Sequence, residues 1–148
     1  MTSARSPEET RRIEAEILAA LDRLVDGCER LDMDLAFGIF SRGPDFRMIA
    51  ADGSLCDFAT YYDNNVAYLD DCSAFSLTTL RTDVLVLRMD AAVLSWIYRA
   101  EVTLESGAFD VIDRAGATFV FEKRDGEWKV VRYHESSLPA VRHDSPAG

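Results

Sequence analysis

Ile13, Ile17, Leu21, Leu24, Cys28 and Leu31 recur every three or four positions, with Arg11, Glu14, Arg23 and Glu29 between them. That spacing predicts a helix with one buried stripe and one solvated face. Ser6-Pro7-Glu8-Glu9 supplies its start: a capping hydroxyl, a proline suited to the first turn, and acids at the positive end of the dipole. A shorter helical segment follows from Asp32 to Ser41, stopped by Gly43-Pro44. Phe46, Met48 and Ala50 alternate with Arg47 and Ile49 and predict a brief strand before an Asp52-Gly53 turn. Ser54 and Asp57 repeat the capping-box spacing ahead of a third helical stripe, Leu55, Phe58, Tyr62, Val66 and Leu69.

From Ser73 onward the period changes. Phe75, Leu77, Val84 to Leu87 and Val93 to Leu104 are β-branched, aromatic or alternating, which predicts long antiparallel strands. A turn at Asp90-Ala91 sets Leu87 opposite Leu94 and Leu85 opposite Trp96. Val84, Val86 and Ile97 make the other face apolar as well. A sheet apolar on both faces needs two covers, and a single layer of helices supplies one, so a second copy of the chain is expected on the other. Asp125-Gly126 predicts a tight hairpin that pairs Glu122 with Lys129, Phe121 with Val130, Phe119 with Arg132 and Ala117 with His134. Trp128, Val130, Arg132, His134 and Ser136 then share one face, whose polarity rises toward the end of the strand, where a ligand is expected. The fold class is α+β, three N-terminal helices packed on an antiparallel sheet.

At 148 residues the chain fits one domain. We place it at residues 8–138, between a disordered N-terminus at 1–7 and a flexible tail at 139–148. A net charge of -10 opposes nucleic acid and anionic membranes as partners. Cys28, Cys56 and Cys72 are odd in number and far apart, which suits free thiols in a reducing cytoplasm better than a disulfide or zinc framework. No apolar run reaches the ~18 residues of a membrane span, and a cytoplasmic location is expected. A Gly-rich phosphate loop, a Gly-x-Ser-x-Gly elbow and a His-Glu-x-x-His helix are all missing, so no cofactor and no metal are expected.

His134 is the natural acid–base group near neutral pH, with space beside it over Ala117; the alternative is a structural histidine hydrogen-bonded near the chain end. Arg132 either binds a carboxylate or enolate or lies on Phe119 as a cation–π pair. Trp96 and Tyr98 share a face with Leu94 and Ala100, as a pocket wall or as core. Tyr61 and Tyr62 point about 100° apart, and Tyr62, in phase with Phe58 and Leu69, is the one expected to face the sheet. Asp57, Asp63, Asp70 and Asp71 suit caps and a solvated face.

The element order over residues 10–138, ending in the run from Asp125 to Ser136, resembles the nuclear transport factor 2-like superfamily and, within it, the SnoaL-like branch. The Trp128-x-Val130-x-Arg132-x-His134-x-Ser136 run is also similar to the end of the calcium/calmodulin-dependent kinase II association domain, and Asp90 to Ile97 to its preceding strand. The resemblance implies a curved sheet wrapped on a long helix, in a cystatin-like, cone-shaped fold with a cavity, and a homodimer or higher homo-oligomer formed through the sheet. It implies a small-molecule ligand, with His134 the one pocket position carried over; Tyr62, Trp96, Tyr98, Phe119, Arg132 and Glu135 are the ligand-binding candidates of this chain. Where the kinase association domain has pocket arginines, this chain has Tyr98, Phe119 and Glu135, which removes that type of anion site. Two functions follow: a cofactor-free lyase, isomerase or cyclase acting on a small apolar carbonyl compound, with Tyr98 or Arg132 steadying negative charge, or a non-catalytic ligand-binding or oligomerisation module.

Overall fold

The computed structural model describes residues 5–144. Helix α1, Pro7–Glu29, starts where the Ser6 hydroxyl accepts from the Glu9 amide at 3.1 Å, and it buries Ile13, Ile17, Leu21 and Leu24. Helix α2, Met33–Phe37, is capped by the Asp32 carboxylate and is shorter than the expected segment. The chain reverses between α1 and α2 through Leu31 at φ 56°, and α2 sits so close to α1 that no side chain fits at Gly27. Helix α3, Phe58–Leu69, is capped by Asp57, whose carboxylate accepts from the Thr60 amide at 2.9 Å. Ser54 instead bonds to the Asp52 carboxylate within the preceding turn, and Leu55 is strand rather than helix.

The strands are β1 (Arg47–Ile49), β2 (Leu55–Cys56), β3 (Cys72–Arg88), β4 (Ala91–Leu104), β5 (Phe109–Arg124), β6 (Glu127–Ser137) and β7 (Val141–His143). They form one sheet in the order β2-β1-β6-β5-β4-β3, with β7 added beside the start of β5. The pair β1 and β6 runs parallel, so the sheet is mixed rather than wholly antiparallel. Register shifts near Leu80 in β3, between Tyr98 and Ala100 in β4 and at Val131 in β6 interrupt the ladders. Bulges of this kind bend and twist a sheet, and this one curves around the helices. The core lies between them, with Phe40, Phe46, Phe119 and Phe121 fully enclosed.

Several sequence expectations shift by one residue, with large consequences. The β3–β4 loop is Met89-Asp90 and Leu87 is an extra residue on β3, so Val84 pairs with Leu94 and Val86 with Ala92. Val86 is buried, whereas Leu85 and Leu87 are 56% and 50% exposed on the outer face. In a strand, a slip of one position exchanges the two faces. The tail expected to be flexible contributes β7, whose Arg142 forms an ion pair with Asp110 and whose His143 stacks on Phe109. At the other end Ser6 and Pro7 begin α1, and the Arg5 guanidinium donates to the Val86 and Leu87 carbonyls at 2.6 and 3.0 Å. Residues 1–4 and 145–148, the outermost parts of both expected flexible ends, lie outside the described residues. No described helix is long and apolar enough to cross a membrane.

Candidate ligand cavity

The Asp125-Gly126 turn forms as expected, with φ of 52° and 79°, and the first pairs, Glu122 with Lys129 and Phe121 with Val130, match the sequence register. Beyond them Val131 is an extra residue on β6, and Val120 pairs with Arg132, Phe119 with Tyr133, Thr118 with His134 and Ala117 with Glu135. The face that starts with Trp128 and Val130 therefore continues with Tyr133 and Glu135. Arg132 and His134 turn to the outer side of the sheet, and the expected contacts of Arg132 with Phe119 and of His134 with Ala117 do not exist. The physical reason is the bulge itself, since two residues opposing one restore the phase on the far side.

A cavity of about 270 Å³ lies between the helices and the inner face of the sheet. Leu24 and Cys28 of α1, Met33 and Phe37 of α2 and Tyr61 and Asn65 of α3 form its helical side. Trp96 and Tyr98 of β4 and Tyr133 and Glu135 of β6 form the facing wall. Trp96 stacks on Tyr98 with ring centroids 3.9 Å apart and donates its indole N–H to the Thr79 hydroxyl at 3.0 Å. The two rings are consequently held face to face, each covering one face of the other.

Glu135 is the one carboxylate among the described residues lining this cavity. The Tyr133 hydroxyl donates to its Oε2 at 2.8 Å, and the Tyr133 ring rests on Phe119 at 4.8 Å. Burial raises the Glu135 carboxyl above its ordinary value, opposed by the Tyr133 hydrogen bond and by the charge of His134 on the other face. Burial and the nearby Glu135 charge also push the Tyr61 and Tyr98 hydroxyls upward. Burial likewise raises Tyr133, where the charges of Tyr61 and Glu135 add to it. The tyrosines are thus neutral hydroxyl groups around a carboxyl whose proton affinity burial has raised. Burial first, and Glu29 second, hold the Cys28 thiol at about 12, which makes it a neutral wall group rather than a nucleophile.

Of the expected site residues, the fold brings Trp96, Tyr98 and Glu135 to the cavity. Phe119 is fully enclosed behind it and supports Tyr133. Tyr62 is elsewhere: its hydroxyl donates to Asp34 at 3.1 Å and its ring stacks on Phe58, while Tyr61 takes the inward position. The third helix is rotated relative to the expected stripe because it begins at Phe58, with Asp57 as its cap, and Leu55 belongs to β2. Arg132 and His134 meet Arg47 in a separate groove of about 250 Å³ on the outer face. Among the described residues no cluster of three potential metal ligands occurs. The sequence pattern favours Tyr62 over Tyr61, places Cys28 only in the buried stripe of α1, and does not single out Tyr133, although the adjacent Val130-Val131 breaks the alternation of the strand.

Comparison with known structures gives the fold independently. A candidate scytalone dehydratase from Novosphingobium aromaticivorans superposes with a TM-score of 0.80 at 12% identity, covering 97% of this chain and 98% of that one. A type 3 hexachlorocyclohexane dehydrochlorinase from Novosphingobium barchaimii gives 0.75 at 14% identity, covering 93% and 94%. A nuclear transport factor 2-like protein from Salmonella enterica gives 0.77 at 18% identity, covering 88% and 94%. These likenesses establish the nuclear transport factor 2-like α+β fold. No curated protein matches the sequence. The family model of the calcium/calmodulin-dependent protein kinase II association domain matches residues 44–139, from the end of the α2 region through β6. With about two-thirds of its length under that match, including strands β1 to β6, the chain belongs to the calcium/calmodulin-dependent protein kinase II association domain family.

Proposed function

We propose that the cavity binds a small, largely apolar molecule, and that Glu135 is its acid–base group in a cofactor-free lyase, isomerase or cyclase reaction beside a carbonyl. The observation that carries this is the Glu135–Tyr133 pair, one carboxyl hydrogen-bonded at 2.8 Å in a cavity lined mostly by aromatic and aliphatic side chains. A carboxyl raised by burial takes a proton from carbon and returns it elsewhere at a smaller energetic cost than an ordinary one, because its acidity is closer to neutrality. Tyr98 on the sheet wall and Tyr61 on the helical side line the same cavity as neutral donors for an oxygen on which negative charge develops. The expected role of His134 passes to Glu135 in this proposal, since His134 faces the opposite side of the sheet. A dehydratase and a dehydrochlorinase among the structural neighbours support the reading, as both names describe eliminations, in which a proton and a leaving group are lost.

The test is a screen of small enolisable carbonyl compounds for proton exchange with deuterated water, followed by mass spectrometry, on the protein and on Glu135→Gln. Exchange that depends on Glu135 in a variant of unchanged fold supports the proposal. Exchange that survives in Glu135→Gln removes Glu135 from the chemistry.

A second reading, assembly, is favoured by Leu85 and Leu87, which sit 56% and 50% exposed on the outer face of a sheet already covered on its inner side. A homodimer formed through that face would bury them. Sedimentation of the protein and of Leu85→Lys at micromolar concentration tests this, with a monomeric parent protein as the refuting result.

A further inference from the structure

The cavity has a charge preference that its shape alone does not reveal. Seven of its lining side chains are aromatic, including the stacked Trp96 and Tyr98 and the inward Tyr61 and Tyr133. No arginine, lysine or histidine is among the described residues that line it. The nearest basic groups are engaged elsewhere: Arg142 pairs with Asp110, and His134 lies behind the sheet. Glu135 is the sole ionisable acid on the wall, and Tyr133 fills one of the roughly four acceptor positions of its carboxylate. An anion entering this space would meet a carboxylate and negative ring faces with no cation to receive it. A protein carrying a net charge of -10 also repels it at a distance.

Resting on the reading of this cavity as the ligand site, we infer that its ligand carries a positive charge: a small organic ammonium compound, with the cation beside Glu135 and against the aromatic ring faces that line the cavity. Two independent features converge on that chemistry. The ring faces attract a cation through their quadrupoles, most strongly where water is excluded. The carboxylate supplies the counter-charge, and a bound cation in turn favours its ionised form. A neutral ligand of the same shape would gain the apolar contacts but leave the carboxylate facing hydrocarbon, which is costly for a buried charged group.

Three probes of nearly one shape separate these contributions: choline, its neutral carbon analogue 3,3-dimethyl-1-butanol, and the anion 3,3-dimethylbutanoate. Binding to the full chain is followed at neutral pH and millimolar probe by NMR, through the Trp96 indole signal and the Glu135 side chain. Choline is expected to bind best and the anion worst. Glu135→Gln should weaken choline roughly tenfold or more and bind 3,3-dimethyl-1-butanol at least as well as the parent does. Tyr98→Leu, which removes a ring face, should lose much of the choline binding; unchanged thermal melting shows that each variant is folded. If the neutral analogue binds as well as choline, or the anion binds better, the inferred charge preference is wrong and the cavity stands as a ligand site. If none of the three binds, both the inference and the ligand-site reading fall.

Discussion

Gly27 sets the spacing of α1 and α2, and its replacement by alanine gives a test in which two known effects oppose each other. A Cβ at position 27 would lie 2.3 Å from the Ala36 nitrogen, 2.6 Å from its Cα and 2.8 Å from its Cβ. The shortest is more than about 1 Å inside the optimal separation of about 3.5–4.0 Å. The first two atoms met are backbone, and Ala36 is fully buried, so no side-chain rotation relieves the contact. Forced overpacking costs about 1–3 kcal/mol, and the upper part of that range applies where backbone must move. Alanine returns about 1 kcal/mol through its higher helix propensity. The net expectation for Gly27→Ala is a loss of about 1–2 kcal/mol, or a melting temperature lower by roughly 2–8 °C for a domain of this size. Gly38→Ala is the internal control. Its Cβ would meet the Asp34 and Leu35 carbonyls at 3.4 Å, its φ is an ordinary -61°, and its site is exposed. That variant should match the parent protein or gain a few tenths of a kcal/mol. Urea denaturation of the three proteins decides the matter. A Gly27→Ala protein as stable as its parent would refute the close helix approach.

Three further outcomes follow from the cavity. Tyr133→Phe removes the hydroxyl that lowers the Glu135 carboxyl, so its titration by carbon-13 NMR should move further upward; a downward shift would contradict the Tyr133–Glu135 geometry. Because folding raises Glu135 above its ordinary value of 4.5, the folded state holds that proton more tightly than the unfolded one. Its contribution is therefore fully present below the unfolded value and lost as pH rises through the folded one. Glu135→Gln should gain stability relative to the parent across that window and then hold a constant difference; a pH-independent difference would sink this linkage. Cys28, held at about 12, should resist iodoacetamide at pH 8 while the protein is folded and react once urea exposes it. Fast alkylation of the native protein at Cys28 would show that the thiol is not enclosed as described.

Local sequence chemistry determined the elements. Ser6-Pro7 opens α1 and Asp125-Gly126 closes the β5–β6 hairpin because a capping hydroxyl and a left-handed turn act over a few residues. The heptad-like spacing from Ile13 to Leu24 fixed the buried face of α1, and the outer apolar leucines of β3 were legible as a sheet with two apolar faces, although which residue faced which side was not. What lines the cavity was decided by tertiary structure. Val131 is accommodated as a bulge where β6 bends to meet β5 on one side and β1 on the other, and pairing energy summed over two neighbouring strands selects that register. Tyr61 faces the core in place of Tyr62 because Leu55 is recruited to pair with Ile49, which moves the start of α3 to Phe58. In both places a displacement of one residue, invisible to a periodicity but enforced by neighbouring strands, separates the histidine and arginine of the outer face from the tyrosine and glutamate within.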